Sequence, residues 1–548
     1  MPFRRALMLC GSLLAAAGLI ALMVRALAPG GWTMAKAAML GSFALAALWV
    51  GFCLMQGVAG FAVLLCRKPL PEAYPLPKSR IAIAVTVRNE DMDAVLPPLR
   101  QLLDELDALG AGDLFALFVL SDSSDAAADA EEQAIAAFRK ADPARIRYRR
   151  RTDNDRFKAG NIMEFMDHRA DGFPLMLILD ADSRMSARAV LRLAAEMEAH
   201  PHLAIVQHLT VGLPASAAFP RLFQFGMRAG MRTWAAALAW WQGDECCYWG
   251  HNALIRIAPF REHARLPLLP DGRPILSHDQ VEAALLAGAG WGIRLLAEED
   301  GSFEANPPAL PEFMRRELRW LAGNLEYRHL LRMPGLRPMG QWQLAQAILL
   351  FGCTPFYLVL LAGAVVAAVT DPVSPFPAGR VLAVMLAWAG AIYAPKLLGY
   401  VEAGRRIGTY GGTGRFLCGV LAETVFTLLL DAISVVGKTA TTVRLLLGMQ
   451  PAWLPQNRGD RGVGWGEAAH LLWPHTTLGL AAFAGFAMAG WGAVPWAVPW
   501  AVPLAGGLPL AVPFCVLTAQ PRFGTWLRRH GIAATPEEVG CDRLRVPS

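Results

Sequence analysis

The chain has 548 residues, of which 55% are hydrophobic and 18% charged, with a mean hydropathy of +0.35 and a formal net charge of +6. That balance is too apolar for an ordinary soluble protein and too charged for a bare membrane bundle, so both are expected, in separate blocks. No basic stripe interleaved with aromatics argues for nucleic acid, and nine scattered cysteines without a C-x-x-C pair exclude a disulfide or zinc framework.

The first block is residues 1–66. Apolar runs from Ala6 to Leu27 and from Ala38 to Leu65 each exceed the ~20 residues that span a bilayer, and two in succession favour a helical hairpin over a signal peptide. Arg67, Lys68, Lys78 and Arg80 follow, and the positive-inside rule places what comes next in the cytoplasm.

Residues 67–338 form the polar block. Buried strands are expected over 80–87, 115–120, 146–148 and 175–179, with helical patterns between them and over 186–199. Such alternation indicates βαβ units and a mostly parallel, Rossmann-like sheet. Asn89, Asp122 and Asp180 stand at strand C-termini, where ligands of open α/β sheets bind. The apolar run Leu175-Met-Leu-Ile-Leu179 ends in Asp180-Ala-Asp182, a pair suited to a hard divalent cation, Mg²⁺ or Mn²⁺, on a nucleotide diphosphate. A capped strand end is the plain alternative.

Asp279 precedes an apolar helix and its plain reading is an N-cap; beside the other motifs it reads as a base for an attacking hydroxyl. Arg316, Arg319 and Trp320 share a helix face, offering cations and a flat indole to a sugar, or packing beneath the membrane block. The run Arg149-Arg-Arg151 is expected to be a solvated edge, and His251 an ordinary buried histidine unless it serves a ligand.

Residues 339–518 return to apolar spans over 342–369, 381–400, 471–491 and 493–517, with Asp371 the only acid in the first short loop. Arg405, Arg406, Arg415, Arg522, Arg528 and Arg529 flank the opposite ends, which places the tail, 519–548, in the cytoplasm. Phe416–Leu447 carries Glu423, Asp431, Lys438 and Arg444; two short helices, or an interfacial helix with a re-entrant one, are expected there, its charges lining a polar cavity or lying at the interface.

Together these features resemble the processive family 2 glycosyltransferases of the cellulose and hyaluronan synthase kind. They are more similar still to the glucans biosynthesis glucosyltransferase H family, which builds osmoregulated periplasmic glucans. The resemblance rests on Phe118-Val-Leu-Ser-Asp122, Tyr148-Arg-Arg-Arg151, Lys158-Ala-Gly-Asn-Ile162, Leu179-Asp-Ala-Asp-Ser183, Tyr248-Trp-Gly-His-Asn-Ala-Leu-Ile-Arg256, Ile275-Leu-Ser-His-Asp279, Val281-Glu-Ala-Ala284, Arg319-Trp320 and Gly323-Asn324. It covers 80–330 strongly and the later helices in pattern.

The resemblance implies a cytoplasmic GT-A domain joined to a multi-pass helical domain in a bacterial inner membrane. It implies UDP-glucose as donor, a divalent cation, and a growing glucan as acceptor, extended through the membrane bundle by single displacement into a β-1,2-linked chain. Another family 2 synthase, making cellulose-, hyaluronan- or chitin-like polymer, is the alternative. Asn89, Glu90 and Asp122 match the uridine-holding positions, although Arg88 replaces a common aromatic. Lys158 matches the basic residue near the donor, Asp180 and Asp182 the metal-diphosphate pair, and Asp279 the general base. Arg316, Arg319 and Trp320 stand for Gln-x-x-Arg-Trp, and His251 and Asn252 fall where an acceptor pocket forms. Trp453–Gly462, in a loop at about 450–466, resembles a gating loop. Only five residues precede the first helix, so the regulatory role of the longer arm of relatives is expected to be absent.

Overall fold

A computed structural model describes residues 1–370, 376–449, 459, 461–490 and 494–540. Most of the 453–462 segment and Asp371 lie outside the described residues.

The polar block is built on a seven-stranded sheet. Its strands are β1 (Ile81–Val87), β2 (Phe115–Ser121), β3 (Ile146–Arg150), β4 (Leu175–Asp180), β6 (Leu203–His208), β8 (Ala253–Arg256) and β9 (Gly292–Leu296), in the order β3-β2-β1-β4-β8-β6-β9. Neighbours are parallel except at β8, which runs antiparallel to both β4 and β6. Alternation along the strands divides the core. Ile81, Ile83, Val85, Leu177 and Leu179 pack with α3 (Met92–Ala108) and α6 (Ala187–Ala199). Ala82, Ala84, Met176 and Ile178 pack on the other face with α5 (Phe157–His168), α8 (Ile257–His263) and α9 (Asp279–Gly288). Side chains on both faces are therefore apolar, the pattern of a sheet covered by helices on both sides. The chain leaves β1 toward β2 on one side and returns with β4 on the other, so the ends of β1 and β4 flank a switch point. Thr86 pairs with Asp180 there.

A second sheet joins β5 (Arg184–Met185), β10 (Ser302–Glu304) and β7 (Val211–Gly212), in the order β5-β10-β7. α4 (Asp125–Arg139) lies between β2 and β3, and α10 (Leu310–Glu326) closes the block.

α7 (Ala218–Gln242) has no counterpart in the sequence reading. It couples the polar block to the apolar helices α1 (Pro2–Leu27) and α2 (Met34–Leu65) and to the later bundle. Glycines make this possible: a Cβ on Gly60 of α2 would strike the Thr233 carbonyl, and one on Gly399 the Ala229 carbonyl. Its arginines find acids distant in sequence, Arg228 pairing with Glu299 at 2.7 Å and Arg232 with Glu402 at 2.5 Å. A basic face with remote partners carries no local signal.

Among the described residues, five helices are long and apolar enough to cross a membrane: α1, α2, the 33-residue stretch Pro338–Thr370, α15 (Thr413–Leu446) and α16 (Trp465–Met488). Pro338–Thr370 comprises α11 (Pro338–Gly352) and α12 (Thr354–Thr370). Three expectations change. The 381–400 span is a pair, α13 (Ala378–Ile392) and α14 (Ala394–Gly404), bent by 64° where Pro395 removes a backbone donor. The 493–517 span breaks into α17 (Val494–Ala505) and α18 (Ala511–Thr518), with prolines at 503, 509 and 513 along it.

The third correction concerns 416–447, which is neither two helices nor a re-entrant turn but part of the single 34-residue α15. Its charges do not break it because neighbouring helices supply partners. Glu423 accepts from Lys396 Nζ at 2.6 Å and from the Tyr400 hydroxyl, Asp431 accepts from Tyr393 at 2.7 Å, and Lys438 pairs with Glu317 of α10 at 2.9 Å. Beyond α18 the tail folds back as α19 (Pro521–Arg529) and α20 (Pro536–Val539).

Candidate active site

At the ends of β1 and β2, Asn89 adopts a left-handed conformation, φ 55°, and ties the two loops together. Its backbone N–H donates to Ser123 Oγ at 2.7 Å, and its side-chain oxygen accepts from the Ser124 N–H at 2.9 Å. Ser123 in turn donates to Glu131, which also accepts from the Tyr148 hydroxyl. Burial and the Glu131 carboxylate push the Tyr148 phenol up. Glu90 follows Asn89 in the same loop, half-buried. Asp122 receives two parallel bonds from Arg151, at 2.7 and 2.8 Å, with side chains only 5% and 7% exposed. The expected solvated edge is thus corrected: Arg151 is buried because Asp122, brought beside it by β2–β3 pairing, neutralises it, while Arg150 reaches Asp125 and Arg149 the Asn161 carbonyl.

The Asp-x-Asp pair sits at the end of β4. Ser183 Oγ accepts from the Asp180 N–H at 3.0 Å, and the Asp180 carboxylate contacts Lys158 Nζ. That ammonium also donates to the Gly250 carbonyl at 2.7 Å. Gly250 (φ 85°) lies against Asp279: a Cβ there would be 3.3 Å from Asp279 Cβ and 3.6 Å from Oδ2. Lys158 and Gly250 therefore join the β4 acids to the head of α9. Among the described residues no three His, Cys, Asp or Glu form a metal cluster. Two carboxylates nevertheless fit a Mg²⁺-type ion, which takes one or two from protein and the rest from phosphate and water.

Asp279 is the first residue of α9, and His278, not Asp279, holds the N-cap position. His278 Nδ1 pairs with Glu282 at 3.0 Å, the two side chains 15% and 4% exposed. Burial pushes the Asp279 carboxyl up; the His278 charge pulls it down and Glu282 pushes it up. For His278 burial works downward, but Glu282 and Asp279 hold the imidazole above its ordinary range.

β10 supplies a second pair. His251 Nε2 lies 2.9 Å from Glu304, and its Nδ1 faces the Trp249 carbonyl at 3.0 Å. Burial opposes protonation, yet Glu304 raises the imidazole to about 9 while His251 draws the Glu304 carboxyl down. Arg316 is buried, 4.6 Å from the Trp320 ring, and within electrostatic reach of Glu304 and Asp182; burial pulls its guanidinium down. Trp320 is 44% exposed, so it does not pack beneath the apolar bundle. Arg319 is half-buried on the same helix. Asn252 points elsewhere: fully buried, it donates to Ser302 Oγ at 2.9 Å and holds β10 beside β8.

The sequence matches two glycosyltransferase families, Glycosyl transferase family 2 over residues 82–264 and Glycosyl transferase family group 2 over 175–394. It is 34% identical to a glucans biosynthesis glucosyltransferase H from Bradyrhizobium diazoefficiens, covering 93% of this chain and 71% of that one. The same-named protein of Vibrio cholerae is 31% identical over 93% of this chain and 74% of its own. The chain belongs to the glucans biosynthesis glucosyltransferase H family. A mannosyltransferase from Pyrobaculum calidifontis, solved with GDP-mannose and Mn²⁺, aligns with a TM-score of 0.46 at 17% identity, over 67% of this chain and 98% of its own.

This family 2 glucosyltransferase thus has a GT-A domain and membrane-capable helices, and acts in glucan biosynthesis. Four of its structural contributors escaped sequence reasoning. Glu131 and Glu304 lie in no motif, and their partners are 8 to 53 residues away. Arg151 looked like one of three equivalent arginines. Gly250 is the one with a signal, a glycine immediately before His251-Asn252, where a close approach to another segment was inferable.

Proposed function

We propose that the enzyme transfers glucose from UDP-glucose to the end of a growing glucan, inverting the anomeric centre, at a cytoplasmic site of a bacterial inner-membrane protein. The polar block, 67–338, acts as the transferase; the hairpin 1–66 and the helices of 339–518 carry the product outward. The observation supporting this most directly is the junction at Gly250, where Lys158 and Asp180 stand on one side and Asp279 on the other.

In this reading Asn89, Glu90 and Asp122 hold the uridine, Asp122 oriented by Arg151. Asp180 and Asp182 hold a divalent cation on the diphosphate. When bound, that ion neutralises charge developing on the leaving group. Lys158 and Arg316 add fixed positive charge near the same phosphates. Asp279 takes the proton of the acceptor hydroxyl as its oxygen bonds to C1, and the C1–O bond to UDP breaks with its electron pair leaving on the diphosphate. An acceptor hydroxyl has a pKa far above neutral, so this base carries the step. Trp320 and Arg319 form the platform for the acceptor sugar, with His251 at its edge through Glu304. Single displacement on an α-linked donor yields β linkage. The 1,2 position rests on family membership alone.

Purified, reconstituted enzyme supplied with single UDP-sugars, followed by linkage analysis, tests this reading. UDP-glucose is expected to give β-1,2-glucan, and EDTA to abolish turnover. A β-1,4 product refutes the linkage, an N-acetylated polymer the donor, and full activity in EDTA the role of the acid pair.

A further inference from the structure

The tail after the last apolar helix is not an extended arm. α19 begins three residues after α18 ends, and its two sides differ in chemistry. Gly524 and Leu527 are buried. A Cβ on Gly524 would collide with the Ser216 carbonyl and the Ala218 nitrogen, so this side of α19 rests directly on the start of α7. The opposite side carries Arg522, Trp526 and Arg529, at i, i+4 and i+7, and all three are exposed. Trp526 is 48% exposed, with Phe523 stacked on it at 6.2 Å and His530 at 4.8 Å.

Among the described residues, Arg522 and Arg529 make no ion pair or side-chain hydrogen bond, whereas Arg221, Arg228 and Arg232 of α7 are all paired with carboxylates. An exposed indole bracketed by unneutralised guanidiniums, beside the end of an apolar bundle, has the composition of the membrane–water boundary.

We propose that α19 is an interfacial helix whose Arg522–Trp526–Arg529 face docks on anionic phospholipid headgroups. The occupant is specified by charge: phosphodiester oxygens without a compensating amine complement guanidiniums that have no carboxylate of their own. This rests on the apolar helices crossing a bilayer, not on the transferase chemistry.

Docking there bears on the catalytic block through short links. Just after α19, Arg221 donates to the Ile532 carbonyl at 2.7 Å and to Glu538 at 2.7 Å, while Arg228 bridges Glu537 to Glu299. Glu299 lies three residues before β10, which bears Glu304. α19 is therefore fastened to α7 on one side and free for lipid on the other.

The test uses the full-length protein in detergent, titrated with phosphatidylglycerol or phosphatidylcholine, and reads the apparent Tm and the lipids retained in native mass spectrometry. Phosphatidylglycerol is expected to raise Tm more than phosphatidylcholine, an advantage that shrinks at about 0.5 M salt. Arg522→Gln with Arg529→Gln should lose most of that advantage and retain fewer anionic lipids, while matching the wild type in phosphatidylcholine. A variant that misfolds shows itself by a lower Tm in phosphatidylcholine; Trp526→Ala, which leaves the charges in place, then serves as the second variant and should weaken retention less. Equal shifts from both lipids in the wild type, or an undiminished advantage in a folded double variant, overturn the proposal. So does conversion of a dimer to a monomer by the double variant without loss of lipid, which would make this face a contact between copies.

Discussion

His278 Nδ1 lies 3.0 Å from Glu282 Oε2, one turn along α9, and Asp279 stands next to His278 at the head of that helix. Buried Glu282 and half-buried Asp279 thus both bear on one imidazole. His278 lowers the Asp279 carboxyl against the upward push of burial.

As the proposed base, Asp279 accepts a proton in its ionised form, so turnover is expected above its pKa and lost as pH falls through it. His278→Gln removes the neighbouring cation and should move the acid limb of kcat/KM to higher pH. An unmoved limb, whatever the loss in rate, would show that His278 only packs.

Asp279→Asn keeps the shape but removes the proposed acceptor of the hydroxyl proton. Transfer should fall by about 10²–10⁴-fold. UDP affinity, measured by calorimetry on the same preparation, should stay near that of the wild type. A variant that still synthesises polymer at full rate contradicts the assignment of the base.

Arg151→Met strands the Asp122 carboxylate in a nearly dry site. Breaking such a pair from one side costs on the order of 3–5 kcal/mol, and donor binding should weaken with it. Adding Asp122→Asn should recover much of the stability, because no uncompensated charge is then buried, without recovering UDP affinity. Thermal unfolding of the single and double variants measures the first effect and a UDP titration the second.

The His251–Glu304 pair predicts a pH window of stability. His251 is raised from 6.5 to about 9, so its contribution is complete below 6.5 and disappears as pH rises through about 9. Glu304 is lowered from 4.5, so its contribution is complete above 4.5 and disappears as pH falls through its lowered value. The difference in apparent Tm between wild type and Glu304→Gln should be greatest between 4.5 and 6.5 and shrink toward pH 9. A difference that is flat from pH 6 to 9 would rule out an ionised pair.

Gly226→Val tests the seat of α7 on α15. The Glu423 carboxylate occupies the space a Cβ would need, and it is held there by Lys396, Tyr400 and Thr427. Overpacking of this kind costs about 1–3 kcal/mol, and the apparent Tm should drop accordingly. An unchanged Tm would mean that Glu423 can move without loss.

Leu175–Leu179 illustrates what the sequence determined alone. An unbroken apolar run of that length is a strand covered on both faces, and the acids that follow must lie at its end. The same local logic located β1, β2, α6, the first hairpin and the grouping of Asn89, Asp122 and Asp180 at one sheet edge. Apolar periodicity is a property of neighbours in the chain, and it survives in the sequence. Only the tertiary structure decided that β8 enters between β4 and β6 in the opposite direction, that Arg151 is spent on Asp122, and that His251 meets Glu304 53 residues later. It also decided that α15 runs unbroken past Glu423, Asp431 and Lys438. A charge is stable in a buried place only when an opposite charge or hydrogen-bond donor is brought to it. Those partners come from α14, α10 and β10, and which of them arrives is fixed by packing between distant segments rather than by any pattern around the charge itself.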